Sequence, residues 1–280
     1  NTGITKFFDL GVHPLANSLP KSPDREEQLY PLSLSWCDDC NLVQLNETVD
    51  PEELFSNYIW VTGTSKAANV FAETFYKELV SRAPGGGYVL EVASNDGTFL
   101  RPFQRNGYDV LGVDPAKNIA DMAEMAGIPT KCVFFGRGAA EDIVRGKGPA
   151  KMVFARNVIA HVANTHDFVD GLAAALADDG VLAIETHYAK NILEGLHYDS
   201  IYHEHLCYFS LKSLERLLND HGLYIFDVIR SLISGGGLIV YAKKKKDIAP
   251  RAAVLQHRVE EEKGAVNAFS SWENFAKRAL

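Results

Sequence analysis

Residues 201 to 210 read Ile-Tyr-His-Glu-His-Leu-Cys-Tyr-Phe-Ser, so Tyr202, His203, Glu204, His205 and Tyr208 bring imidazoles, a carboxylate and phenols into one short stretch. A histidine near its ordinary pKa of about 6.5 is largely neutral at pH 7 and can take a moderately acidic proton. With no charge-balancing run nearby, such a cluster is hard to explain as packing. Two other readings stand beside proton transfer. In an extended segment His203 and His205 would point the same way and could ligate a metal, but Glu204 would point opposite and no third ligand is obvious. The residues could also be plain polar loop.

A second centre is Cys37-Asp-Asp-Cys40, a spacing suited to one metal or one redox pair. The pair lies among prolines and short apolar runs rather than at a helix N-terminus that would lower a thiol pKa, which favours zinc over redox work.

The third is Val89-Leu-Glu91-Val-Ala-Ser94-Asn95-Asp96-Gly97, a buried strand running into a small-residue turn. In parallel sheets a ligand lies beyond the strands' carboxyl ends, where such a turn lets backbone N–H groups approach it. The G-x-G-x-x-G dinucleotide fingerprint is absent, with Ala93, Asn95 and Gly97 at the alternating positions, so NAD is disfavoured. Glu91 ending one strand and Asp114-Pro115 ending the next resemble the S-adenosylmethionine (SAM) methyltransferase pattern, in which Asp114 would accept from the ribose hydroxyls. Taken singly, either acid could simply cap a helix. Asn157, in Arg156-Asn157-Val-Ile-Ala-His161, falls at a strand's carboxyl end and is expected in the pocket, whereas His161 reads as readily as a satisfied surface histidine.

The elements that must hold these groups follow from periodicity. Residues 1–50 form a small lobe with Pro14, Pro20, Pro23 and Pro31, too poor in apolar runs to bury much without a metal. Residues 51–84 are a helical bridge. From 85 to 246, short buried strands (88–92, 110–113, 152–155, 180–185, 224–229, 238–243) alternate with helices (99–106, 118–126, 168–176, 211–221), which predicts a doubly wound, mostly parallel α/β sheet with an antiparallel edge. Residues 247–280 read as charged helix.

Composition narrows the partners. The chain has 280 residues with 46% hydrophobic and 23% charged, an ordinary globular balance, and a net charge of −8 that opposes general nucleic-acid binding. Lys243 to Lys246 lacks interleaved aromatics and reads as a solvated strand end. No run reaches the about 18 apolar residues of a membrane span, and no signal peptide is visible. Few cysteines suit a cytoplasmic location. The sequence does not fix the oligomeric state, and a monomer is compatible with it.

Several stretches together resemble one family, the C-methyltransferases of nucleotide-activated deoxysugars, which put a methyl branch on a 4-keto hexose. They are Asp9-Leu-Gly-Val-His-Pro14-Leu-Ala-Asn17-Ser18, Tyr30-Pro-Leu with Cys37-x-x-Cys40 and Leu42-Val-Gln-Leu45, Glu91 to Leu100, Gly112-Val-Asp-Pro115, Ala155-Arg-Asn-Val158 with Ala160-His161, and Ile201-Tyr-His-Glu-His205 with Tyr208-Phe-Ser210. The resemblance implies a Rossmann-like class I SAM methyltransferase, a nucleotide-sugar substrate, and an N-terminal zinc lobe with two C-x-x-C pairs. Cys37 and Cys40 match the second pair. The first is expected just before Asn1, and a further domain at about the point where the chain stops. His205 matches the family's base, Glu204, Tyr202 and Tyr58 its partners in the acceptor site, and Ser94, Asn95, Asp96 and Gly97 the cofactor turn; His203 and Tyr208 are expected on the sugar. Ser234-Gly-Gly-Gly237 stands where the family has His-Gly-Gly-Ser, so Ser234 would meet the sugar or its phosphates without an imidazole. That departure leaves open another small ketone-like acceptor. A zinc-ribbon RNA methyltransferase or adaptor is opposed by the charge.

Overall fold

The computed structural model describes residues 3–280 apart from 21, 23, 25, 84, 232 and 234. The N-terminal lobe contains β1 (Ile4–His13), β2 (Tyr30–Cys37) and β3 (Val43–Leu45). Helices α1 (Pro51–Phe55) and α2 (Lys66–Arg82) lead into β4 (Tyr88–Val92), α3 (Arg101–Arg105), β5 (Asp109–Asp114), α4 (Lys117–Met125), β6 (Thr130–Cys132), α5 (Arg137–Lys147) and β7 (Ala150–Arg156). Then follow α6 (Thr165–Ala175), β8 (Leu176–His187), α7 (Ala189–Gly195), β9 (Cys207–Tyr208), α8 (Leu211–Asp220), β10 (Tyr224–Ser231), β11 (Gly237–Lys243), α9 (Ala252–Lys263) and α10 (Phe269–Ala279).

The large sheet has the order β10-β11-β8-β7-β4-β5-β6, with β4 to β8 parallel and β11 antiparallel to both neighbours. This is the expected doubly wound sheet with an antiparallel edge, the class I SAM methyltransferase arrangement. From β4 the chain winds outward one way through β5 to β6 and then the other way through β7, so the crevice for a ligand opens between β4 and β7.

Strands buried on both faces read as unbroken apolar runs, as in Tyr88–Val92, where every residue is buried. On one face α2 lays Phe75 against Phe99 and Phe154, with ring centroids 5.8 and 5.0 Å apart. On the other, α6 and α8 cover Leu90, Val153 and Ile184. Burying each large side chain contributes about 1.5–3 kcal/mol.

Helix α5 is absent from the sequence expectation because Gly138 and Gly146 break its apolar pattern, although Ala140 and Ile143 are buried. The lobe's four-stranded sheet runs β1-β2-β3-β9, so its last strand comes from the segment directly after the histidine motif. Helix α9 packs on β10 and α10 on β1. Among the described residues no helix is long and apolar enough to cross a membrane.

Candidate active site

The turn after β4 carries three alternating left-handed residues, Ala93 (φ 56°), Asn95 (φ 49°) and Gly97 (φ 74°). It therefore adopts the backbone of a glycine-rich loop with one glycine. At Gly97 a side chain would crowd Ile128, and at Gly112 one would meet Ser94 Oγ at 2.5 Å, so both are confined to glycine. Asn95 tolerates the conformation because its side chain is bonded, whereas Ala93 has no such compensation and costs about 1–2 kcal/mol.

Around this turn, Glu91 is 2% exposed, its Oε2 has no partner, and burial, opposed by nearby Arg156, raises its pKa well above the carboxylate range. Ser94 Oγ is likewise buried and unpartnered. Asp114 accepts from the backbone N–H of Asn95 (2.9 Å) on one oxygen and of Ala116 (3.0 Å) on the other, and burial raises its pKa. It thus ties the turns after β4 and β5 together while each oxygen keeps a lone pair. Pro115 continues that second turn. These buried acceptors with free valence fit a ligand that brings its own donors, as the amino and ribose hydroxyl groups of SAM do.

Two of the residues expected at the cofactor use their side chains within the protein. The Asp96 carboxylate is taken up by Thr98 N–H (3.3 Å), Thr98 Oγ1–H (2.7 Å) and the Arg101 guanidinium (3.2 Å), which fixes the turn leading into α3. The Asn95 amide grips the Trp60–Thr62 backbone, leaving its own backbone N–H on Asp114. Asn157 sits beyond β7 with φ 49°, its N–H on Glu185 C=O (2.8 Å).

The motif residues 201–206 form a turn, closed by His205 N–H to Tyr202 C=O (3.0 Å) and anchored by Leu206 N–H to Ala160 C=O (2.7 Å). The turn sends the two histidines to different neighbours. His203 donates through Nε2 toward the carbonyls of Tyr30 and Pro31 (3.3 and 3.2 Å). It is buried and fastens the motif to β2, so its Nε2 is engaged within the protein.

His205 donates through Nδ1 to Ser200 C=O (2.7 Å), which leaves the Nε2 lone pair facing the Tyr202 hydroxyl at 3.2 Å. Its ring lies 4.3 Å from Tyr202, 4.4 Å from His187, 5.0 Å from His161 and 6.5 Å from Tyr208. Burial, with His161 and His187 adjacent, pushes its pKa well below 6.5. His161 is half-buried: its Nδ1 is buried without a partner, and burial followed by His187 lowers its pKa to about 4. Glu204 is 3% exposed and accepts from the Asn17 amide at 2.6 Å, while burial raises its pKa. The Tyr58 phenol lies beside it, its pKa pushed up to about 12 by burial and that carboxylate.

Next to Ser200 opens a cavity of about 300 Å³ lined by His187, His197, Asp199 and the Gly235–Gly236 turn. Ser234 lies outside the described residues. Sequence reasoning missed His187, although it ends β8 as a polar residue at a strand's carboxyl end, the same signal that singled out Asn157. It also missed Asn17, quoted only as part of a motif, and Asn118.

Cys37 is buried at the end of β2 and Cys40 follows in a tight turn: Asn41 is left-handed (φ 58°), and Asn41 N–H bonds Cys37 C=O while Cys37 N–H bonds Leu42 C=O, both at 2.9 Å. The two thiols are neighbours. Among the described residues no group of three or more His, Cys, Asp or Glu could hold a metal, so the pair fits half of a tetrahedral site and needs two further donors.

Residues 67–228 match the family described as "Methyltransferase domain", and residues 1–55 the one described as "Putative zinc binding domain". The C-methyltransferase NovU of Streptomyces niveus is 33% identical over 271 residues, which is 95% of this chain; the chain spans 64% of NovU's length. Among solved structures, the PH0226 protein of Pyrococcus horikoshii matches 70% of this chain and 97% of its own at 13% identity with a TM-score of 0.50, a likeness of fold. With its strand order and its turn of alternating left-handed residues, the chain belongs to the methyltransferase-domain family of the SAM-dependent, class I fold.

Proposed function

We propose that this chain methylates carbon, at the position next to the ketone of a nucleotide-activated 4-keto-deoxysugar, with His205 as the base. The observation that carries this reading is the buried His205 imidazole, held as one tautomer by Ser200 C=O with its Nε2 lone pair toward Tyr202 and its ring beside the half-buried His161 and His187. Carbon becomes nucleophilic only if the proton beside the ketone is removed and the resulting enolate oxygen stabilised. His205 Nε2 takes that proton, and the C–H electron pair moves into the ring of the sugar as a carbon–carbon double bond while the ketone oxygen gains the charge. The Tyr202 or Tyr58 phenol donates to that oxygen, a contact that strengthens as charge develops. The imidazolium and the enolate form together, so the pocket's net charge does not change. SAM, held by Glu91, Ser94, the Gly97 turn, Asp114 and Asn157, would supply the electrophilic methyl.

The cavity against Ser200 is the proposed seat of the acceptor, with Gly235, Gly236 and His197 toward its nucleotide end. The resemblance to NovU supports a C-methyltransferase over an enzyme that methylates nitrogen or oxygen. For the lobe, the reading is a structural zinc bound through Cys37 and Cys40 with two thiolates from elsewhere in the protein.

The test is His205→Gln. Methyl transfer should fall by about 10²–10⁴-fold, the usual worth of a general base. In heavy water without SAM, the wild type should exchange deuterium into the sugar beside the ketone and the variant should not; equal exchange by both would refute the assignment.

A further inference from the structure

The segment from Ser56 to Thr62, which carries Tyr58 from α1 to the 3-10 turn at Thr62–Thr64, has no regular structure, and apolar burial does not hold it: Ile59 and Trp60 are 57% and 56% exposed. Two asparagine side chains hold it instead. Asn118 accepts Tyr58 N–H (3.1 Å) and donates to Tyr58 C=O (2.7 Å), a two-bond fork on the backbone of one residue. Asn95 accepts Thr62 N–H (2.8 Å) and donates to Trp60 C=O (3.0 Å). Lys117 N–H adds a bond to Ser56 C=O at 3.3 Å. The far end of the strap is seated too, because any side chain at Gly63 would collide with Asp96 Oδ2.

The clamps stand one on each of the two turns that face the cofactor. Asn95 is the left-handed centre of the turn after β4, and Asn118 lies in the first turn of α4, directly after Asp114-Pro115. The turns are themselves joined by Asn95 N–H on Asp114. A ligand that orders either turn must therefore act on the strap, and the strap delivers a phenol to Glu204.

We propose that Asn118 and Asn95 are positioning residues that couple occupancy of the cofactor site to the placement of Tyr58 in the acceptor site. The inference rests on the reading of Tyr58 and of the cofactor turns given under Proposed function. Tyr58 N–H and C=O, once released by Asn118, would find water at this exposed strap, so the fold tolerates the change while the phenol loses its register.

The strap carries its own probe. Of the three tryptophans, Trp36 and Trp272 are 2% exposed and Trp60 is open, so acrylamide quenching of the native protein reads Trp60. Titrating the wild type with S-adenosylhomocysteine should lower the quenching constant about twofold. Asn118→Ala should raise the ligand-free quenching constant, abolish its response to S-adenosylhomocysteine, and change the dissociation constant less than about threefold. With the acceptor present, its kcat should fall at least about tenfold with little change in KM for SAM, since a displacement of about 1 Å can cost far more than that. Asn118→Asp, which keeps one bond of the fork, should fall between. Trp60 quenching in the wild type that ignores the ligand, or an Asn118→Ala that responds as the wild type does, overturns the coupling. An Asn118→Ala with altered quenching and unchanged kcat overturns the positioning of Tyr58. A wild type that methylates no ketosugar fails the functional reading instead, and the quenching result, measured without acceptor, still decides the coupling.

Discussion

Ser200 C=O fixes the proton of His205 on Nδ1, and Tyr202 is left as the sole hydroxyl within bonding distance of Nε2 among the described residues. As the proposed base, buried and flanked by His161 and His187, it stays neutral well below pH 6.5, which would keep it competent in mild acid but weak. Its weakness is offset only if the oxygen that gains charge is well stabilised, so the phenol matters as much as the imidazole. Tyr202→Phe should therefore reduce kcat by about 10²-fold, the order found on removing one such donor, with SAM affinity unchanged in a calorimetric titration. A variant within twofold of wild type would move the oxyanion role to Tyr58. The motif itself was legible because four chemically active side chains crowd one stretch. His161 and His187 were not, since they end β7's following turn and β8 and meet His205 only through the register of the sheet.

The element that departs most from local preference is the turn after β4. An alanine with φ 56° at position 93 is strained, and Asn95 at 49° is relieved only by the strap it holds. Ala93→Gly removes a Cβ from that conformation and should stabilise the fold by about 1 kcal/mol, a net figure after glycine's larger entropy in the unfolded chain. Urea unfolding should register it as a higher midpoint at constant slope, and a loss of stability would mean that the turn rests elsewhere. Buried strands such as β4 and β5 could be read from sequence within a residue or so, because each is an unbroken apolar run between turn residues. The lobe resisted: β1 is mostly exposed, with Phe8 its one buried residue, and its pairing with β2 slips twice. Nor does sequence indicate that β9, two residues long, completes the lobe's sheet. That pairing sets the histidine motif on the seam between lobe and sheet, where His203 can reach β2 and Asn17 can reach Glu204.

At the scale of the molecule, the site lowers the pKa of its histidines and raises that of its carboxyls, and stability should record it. His161, His187 and His205 have folded pKa values below the ordinary 6.5, so folding favours their neutral state. Their contribution is complete above about pH 6.5 and is lost as pH falls toward the folded values, since the unfolded chain binds the extra protons. Glu91, Glu204 and Asp114 are raised, and theirs runs the other way, present in acid and lost as pH rises through the folded pKa. The total curve mixes both signs, so the histidine term must be isolated by difference. His161 is the measurable one, lowered from 6.5 to about 4, a gap on the order of 3 kcal/mol at 1.36 kcal/mol per unit. Between pH 7 and pH 4 the wild type should therefore lose on the order of 3 kcal/mol more than His161→Asn, whatever the carboxylates do in both. Parallel curves from denaturant titrations at each pH would mean that His161 keeps its ordinary pKa in the folded protein, and the lowered pKa of the neighbouring His205 would have to be abandoned with it.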